Sequence, residues 1–167
     1  MSLTIRDCTV ADLLESLDIY NALTETATIA WTEVRVTLES RRAWFSDQQQ
    51  RGFPVLVAVD DGIVVGVASY GDFRGYPHWE GYRFTVEHSI HVRDDRRGAG
   101  IGRMLLDALI DRARAAGVHV MVGAIDGGNE DSIRFHAGLG FVEVARMPET
   151  GFKFGRWLDL VLMQRIV

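Results

Sequence analysis

"RDDRRGAGIGRMLLDALIDRARAAG", residues 93–117, sets glycines 98, 100 and 102 between a run of arginines and an amphipathic segment. Apolar residues at Ile101, Met104, Leu105, Ala108 and Leu109 recur at helical spacing and predict a core-facing stripe. The residues before it, "RFTVEHSIHV" (83–92), alternate as a strand does. Thr85, Glu87, Ser89 and His91 share one face of that strand. Phe84, Val86, His88, Ile90 and Val92 share the other. Strand, glycine turn and helix form the unit around which the chain is organised.

The turn has several readings. A phosphate loop of the Gly-Lys-Ser/Thr kind is excluded, because the turn ends Gly102-Arg103-Met104. A dinucleotide fingerprint starting at Gly98 needs a third glycine where Arg103 stands. What remains is R-x-x-G-x-G, met by Arg97, Gly100 and Gly102. A helix start offers unpaired N–H groups and the positive end of a dipole, and glycine lets a pyrophosphate approach closely. Arg93, Arg96, Arg97 and Arg103 add positive charge. On the residues alone, an anion site and an ordinary glycine turn that binds nothing both stay open.

Working outward, "SLTIRDCT" reads as a strand and "TVADLLESLDIYNAL" as a helix with Thr9 as its N-cap. "TLESRRAWFSDQQQRG" is a second helix closed by Gly52. "PVLVAV", the turn signal "DDG" and "IVVGVASYGDF" make a hairpin. "RGYPHWEGY" is a loop. Beyond the opening stretch, "VHVMVGAI" is a buried strand and "NEDSIRFHAGLGF" a short helix. "VEVARM" and "WLDLVLMQRI" are two more strands. The expected fold is one α/β (α+β) domain over residues 1–167. Its mixed, mostly antiparallel sheet has about seven strands flanked by about four helices.

Composition narrows the function. With 167 residues and 25% charged side chains the chain is globular in character. A net charge of −5 disfavours nucleic acid as a partner. No apolar run is long enough to span a bilayer, and the first residues lack the basic and apolar regions of a signal peptide, so a cytoplasmic setting is expected. The single cysteine, Cys8, can build neither an internal disulfide nor a thiolate metal site. His88 and His91, three apart in a strand, point to opposite faces, so no metal is expected.

Strand, R-G-x-G-I-G, helix, strand, and then an Asn-x-x-Ser helix ending in "LGF" resemble the GNAT superfamily of N-acetyltransferases. "YRFTVEHSIHV", "NEDSIRFHAGLGF" and "GFKFGRWLDLVLMQ" narrow the resemblance to the phosphinothricin, methionine sulfoximine and methionine sulfone acetyltransferases. The resemblance implies acetyl-CoA as cosubstrate. Its pyrophosphate would lie on the main chain of Arg97, Gly98, Ala99, Gly100, Ile101, Gly102 and Arg103. Its pantetheine arm would run along Ile90, His91 and Val92, with an N–H near Ile90 facing the developing oxyanion. Asn129 would hydrogen-bond the cosubstrate, with Ser132 nearby.

The chemistry is attack of a neutral amine on a thioester, although a free amino acid is mostly ammonium at pH 7. Glu87 is the expected base, acting through water, and His136, four residues after Ser132 on a helix face, the expected acid. The resemblance puts the acceptor at Arg74, Gly75 and Tyr76 and at Glu87, His88 and Ser89. Arg83 and the aromatic wall of Trp31 join them. The expected reaction moves acetyl to the α-amino group of L-phosphinothricin, L-methionine sulfoximine or L-methionine sulfone, in a ternary complex and in a homodimer. Lys153 and Arg156 would close the pocket or reach the partner, and Trp157 is expected in the core. The competing readings are acetylation of a protein N-terminus or another amine, and a regulatory module that binds acetyl-CoA without turnover.

Overall fold

The computed structural model describes residues 3–74 and 78–167. Its strands are β1 (Thr4–Asp7), β2 (Val55–Asp60), β3 (Ile63–Asp72), β4 (Thr85–Val92), β5 (Val120–Asp126), β6 (Val142–Lys153) and β7 (Arg156–Ile166). Its α-helices are α1 (Leu13–Thr26), α2 (Leu38–Gln50), α3 (Ile101–Ala115) and α4 (Glu130–Ala137). The strands form one sheet in the order β1-β2-β3-β4-β5-β7-β6. Every neighbouring pair is antiparallel except β4 and β5. The expected mixed, mostly antiparallel α/β fold is what the chain adopts.

The sheet is covered on both faces. Leu105, Leu106, Leu109 and Ile110 of α3 pack on one, against Leu56, Val65, Met121 and Val161. Leu13, Leu23 and Phe45 of α1 and α2 pack on the other, against Val57, Val64 and Val67. β2 is therefore buried on both sides, which is why it reads as an unbroken apolar run. Each fully buried leucine of α3 contributes roughly 1.5–3 kcal/mol.

Four local expectations are corrected. The buried stripe of α3 runs through Ile101, Leu105, Leu106, Leu109, Ile110 and Ala113, while Met104 is largely exposed. Thr9 is an N-cap, but of the 3-10 turn Val10–Asp12 that runs into α1 at Leu13, and the N-cap of α1 itself is Asp12. The N–H and hydroxyl of Thr9 both donate to the Asp12 carboxylate, at 2.7 and 2.8 Å, across that turn. Phe84 precedes β4 and is exposed under the Arg83 guanidinium, 4.6 Å from its centroid. Trp157 is exposed and packs edge-on against Phe152. The cause is that β6 continues past Met147 to Lys153, through irregular register, and forms a hairpin with β7 at the edge of the sheet. Its turn residues, Phe154 and Gly155, both have positive φ, 51° and 72°, as a tight hairpin turn requires.

Candidate active site

β4 and β5 pair only from Thr85 to Glu87, opposite Val120 to Val122. Beyond that point they diverge, although β4 runs on to Val92 and β5 to Asp126. β4 stays paired with β3 along this length. The Arg93 N–H donates to Val65 O on β3, and Phe84 O accepts from His119 and Val120 on the β5 side. In-plane alternation along the strand then turns the polar groups of His88, Ile90 and Val92 toward the opening. The main chain of His91 faces β3. Of the three residues expected to pair with a pantetheine arm, Ile90 and Val92 turn their main-chain groups into the gap, where no strand among the described residues pairs with them. His91 contributes its side chain.

The glycine turn closes one end of the gap. Gly98 and Gly100 have φ of 78° and 79°, and Gly100 is the N-cap residue of α3. A side chain would strain either one. Gly102 differs: its φ is not positive, and a Cβ there would meet the Phe135 ring of α4 at 3.4 Å, an ordinary contact. Arg97, Gly98, Gly100, Ile101, Gly102 and Arg103 line a cavity of about 550 Å³ shared with Ile90, Val92, Asn129 and Ser132. Ala99 lies exposed within the turn.

The arginine cluster is less positive than its sequence suggests. Arg93 pairs with Asp95, Arg96 with Asp60 and Arg97 with Asp94, so aspartates offset three of the four charges. Arg103 instead donates to Gly138 O, bracing α3 on α4. What the turn offers an anion is chiefly the N–H groups of the turn and of α3. A glycine backbone with positive φ at a helix start fits a pyrophosphate.

On α4, Asn129 spends its side-chain oxygen on the Ser132 N–H, at 3.1 Å, and keeps its NH₂ group for the cavity. His136 is buried, with Nδ1 2.7 Å from Ser132 O. A carbonyl can only accept, so Nδ1 carries the proton and Nε2 a lone pair with no partner among the described residues. Burial lowers the His136 pKa, opposed by that hydrogen bond. His88, from β4, stacks on it at 5.1 Å between centroids. Burial and the neighbouring His136 and His91 hold the His88 pKa down to about 3, so its ring is neutral. Gly123 makes room for both rings: a Cβ there would lie 3.0 Å from His88 Nε2 and 3.5 Å from His136.

On the other side of β4 lies a second cavity, of about 540 Å³. Its lining includes Tyr20, Arg41, Trp44, Glu87, Ser89 and His91. Glu87 is exposed on its strand face, and partial desolvation of its carboxylate in this cavity raises its pKa. A smaller space of about 310 Å³ shares lining residues with both cavities and is bounded by Trp31, Glu87, His88, Ile90, Gly123, Ser132 and His136. Trp31 is held in the α1–α2 connection, where its Nε1 donates to Thr28 O and its ring covers Gly151 of β6 so closely that no Cβ could fit there. Lys153 secures the same connection by donating to Thr24 O, Ala27 O and Ala30 O at 2.6–2.7 Å. It is a buried anchor behind the pocket.

Several expected acceptor residues lie elsewhere. Arg74 and Arg83 are exposed, and neither borders the cavity beside Glu87. Arg83 donates back to Glu80 O, within its own turn. Gly75 and Tyr76 fall outside the described residues. The cationic side chain beside Glu87 is Arg41 of α2, which sequence reasoning missed because "ESRRAWF" reads as a solvated helix face. The adjacent Tyr20 and Trp44 were the available signal: its guanidinium lies 4.8 and 4.7 Å from their centroids.

The split between β4 and β5 thus lies between the glycine turn at the start of α3 and the Glu87 carboxylate at the fork. The chain belongs to the acetyltransferase (GNAT) family, whose model matches residues 16–141. An L-methionine sulfoximine/L-methionine sulfone acetyltransferase of Pseudomonas aeruginosa is 54% identical over 98% of this chain and 94% of its own. A ribosomal-protein-alanine N-acetyltransferase from Brucella melitensis superposes with a TM-score of 0.95 at 47% identity, over 98% of this chain and 99% of its own. A phosphinothricin acetyltransferase from Sinorhizobium meliloti, in complex with acetyl-CoA, superposes with a TM-score of 0.94 at 38% identity, over 100% and 89%.

Proposed function

We propose that this enzyme transfers the acetyl group of acetyl-CoA to the α-amino group of a small amino acid. Methionine sulfone, methionine sulfoximine and phosphinothricin are the acceptors to try. One observation carries the reading: Glu87 and His91 border both the cavity beside α2 and the narrow space at the strand split. Amine and thioester can therefore meet at the carboxylate without a covalent acyl-enzyme.

Acetyl-CoA supplies an activated carbonyl and a thiolate leaving group. The N–H groups of the turn at Gly98 to Arg103 hold its pyrophosphate, and Ile90 and Val92 align the arm. The Ile90 N–H, turned into the gap, stabilises negative charge developing on the carbonyl oxygen. Glu87 removes the ammonium proton, directly or through water, and its raised pKa brings it nearer the working pH of a general base. His136 arrives neutral, so its Nε2 takes up the second proton that the attacking nitrogen sheds as the amide forms and the C–S bond breaks, and passes it to the departing thiolate.

The reading puts the enzyme in the cytoplasm, where reducing conditions suit the buried free thiol of Cys8. Among the described residues no helix is long and apolar enough to cross a membrane. We also propose a homodimer joined through the β6–β7 hairpin, whose Met147, Phe152, Phe154 and Trp157 are exposed. Light scattering tests this, with Trp157→Glu expected to yield monomer.

The similarity to a ribosomal-protein-alanine acetyltransferase keeps one second reading in play, transfer to a protein N-terminus. Thiol release across a panel of amino acids, alanine-initiated peptides and polyamines tests both. The expected result is turnover with methionine sulfone or phosphinothricin. Turnover confined to peptides overturns the amino-acid reading.

A further inference from the structure

We propose that Arg41 receives the α-carboxylate of the acceptor and so makes the enzyme selective for free amino acids over peptides and simple amines. The proposal rests on the function given above. Arg41 reaches from α2 into the 540 Å³ cavity beside Glu87, between the rings of Tyr20 and Trp44. Its Nε is buried and has no hydrogen-bond partner among the described residues.

Other cations near the site are committed. Arg51 pairs with Asp72 and Arg96 with Asp60. Asp72, which also borders the cavity, is thereby neutralised. Gln48 donates to Tyr70 O, and Ser69 and Ser89 share a hydrogen bond. Among the described lining residues this leaves two groups with unmet charge, the Glu87 carboxylate and the Arg41 guanidinium.

A free amino acid carries an ammonium and a carboxylate on one carbon, and the cavity offers one partner for each. A guanidinium's rigid fork suits a carboxylate, and a half-buried cation without an anion gains most when one arrives. A protein N-terminus carries an uncharged amide at that position, and a polyamine carries no anion. Neither would satisfy Arg41.

Steady-state kinetics with three acceptors tests this: methionine sulfone, the amine with the same side chain but no carboxylate, and phosphinothricin. Arg41→Gln is expected to lower kcat/KM for methionine sulfone about 100-fold, mainly through KM, as loss of charge-assisted hydrogen bonds implies. Its kcat/KM for the decarboxylated amine should stay within about two-fold of wild type. Arg41→Lys keeps charge without the fork and should raise the methionine sulfone KM about ten-fold, with an unchanged melting temperature and acetyl-CoA KM. Equal losses on methionine sulfone and the amine, or no loss on either, overturn the assignment. A loss confined to phosphinothricin overturns it too, since Arg41 would then read the side-chain phosphinate. In those cases wild-type turnover of amino acids leaves the proposed function standing. Wild-type enzyme that acetylates only peptides removes both.

Discussion

Glu87 and Val122 are the last residues at which β4 and β5 remain paired. One residue further, no strand among the described residues pairs with β4 on that side, and the carboxylate proposed as the base sits at the fork. The position that ends the pairing also puts the carboxylate on the border of both the cavity beside α2 and the space at the strand split.

Glu87→Gln should therefore lower kcat about 100- to 1,000-fold, as loss of a general base implies, with the acetyl-CoA KM nearly unchanged. The active form is the ionised carboxylate, so kcat/KM rises with pH through the Glu87 pKa. Partial desolvation raises that pKa, which puts this limb above the ordinary carboxylate value of about 4.3. A pH–rate profile should show the limb in wild type and lose it in Glu87→Gln. A limb that survives the substitution assigns the base elsewhere.

Gly100→Ala tests the turn. With φ of 79° the alanine is strained by about 1–2 kcal/mol. The expected result is an acetyl-CoA KM raised about ten-fold and an acceptor KM unchanged, because strain at the α3 start moves the N–H groups facing the pyrophosphate. Calorimetric titration with coenzyme A checks it without turnover.

Lys153→Met removes the donor to Thr24 O, Ala27 O and Ala30 O. Leaving these carbonyls unpartnered should cost about 2–4 kcal/mol in urea denaturation. The anchored segment carries Ile29 and Trp31 to the site, so the acceptor KM should rise while acetyl-CoA affinity holds. An effect on stability alone would separate the anchor from the site.

Asp12 takes both guanidinium nitrogens of Arg6, at 2.7 and 2.8 Å, and this pair, with the Thr9 donors, holds its pKa well below the usual carboxylate range. A depressed folded-state pKa contributes stability above the unfolded pKa of about 3.9 and loses it as pH falls. Asp12→Asn should thus lower stability by about 1–3 kcal/mol at pH 7, and the gap to wild type should shrink toward pH 3. Melting curves at the two pH values measure it.

The sequence by itself determined what local periodicity can carry. Alternation in "TVEHSIHV" put Glu87 and His88 on opposite faces, and the structure keeps them there. Three glycines before an apolar stripe marked the turn, and positive φ at Gly98 and Gly100 is the conformation such residues exist to supply. Asn129, Ser132 and His136 at helical spacing lie on one short helix. Only tertiary structure decided which of these side chains meet groups distant in the chain. His88 and His136 stack because Gly123, on a third element, leaves space for both. Trp157 is exposed because its strand ends in an edge hairpin. Arg41 and Glu87 line one cavity assembled from α1, α2, β3 and β4, whereas Arg74 and Arg83, both exposed, do not border it. Periodicity reports which face of its own element a residue occupies. Which charge stands opposite is settled by how the elements pack.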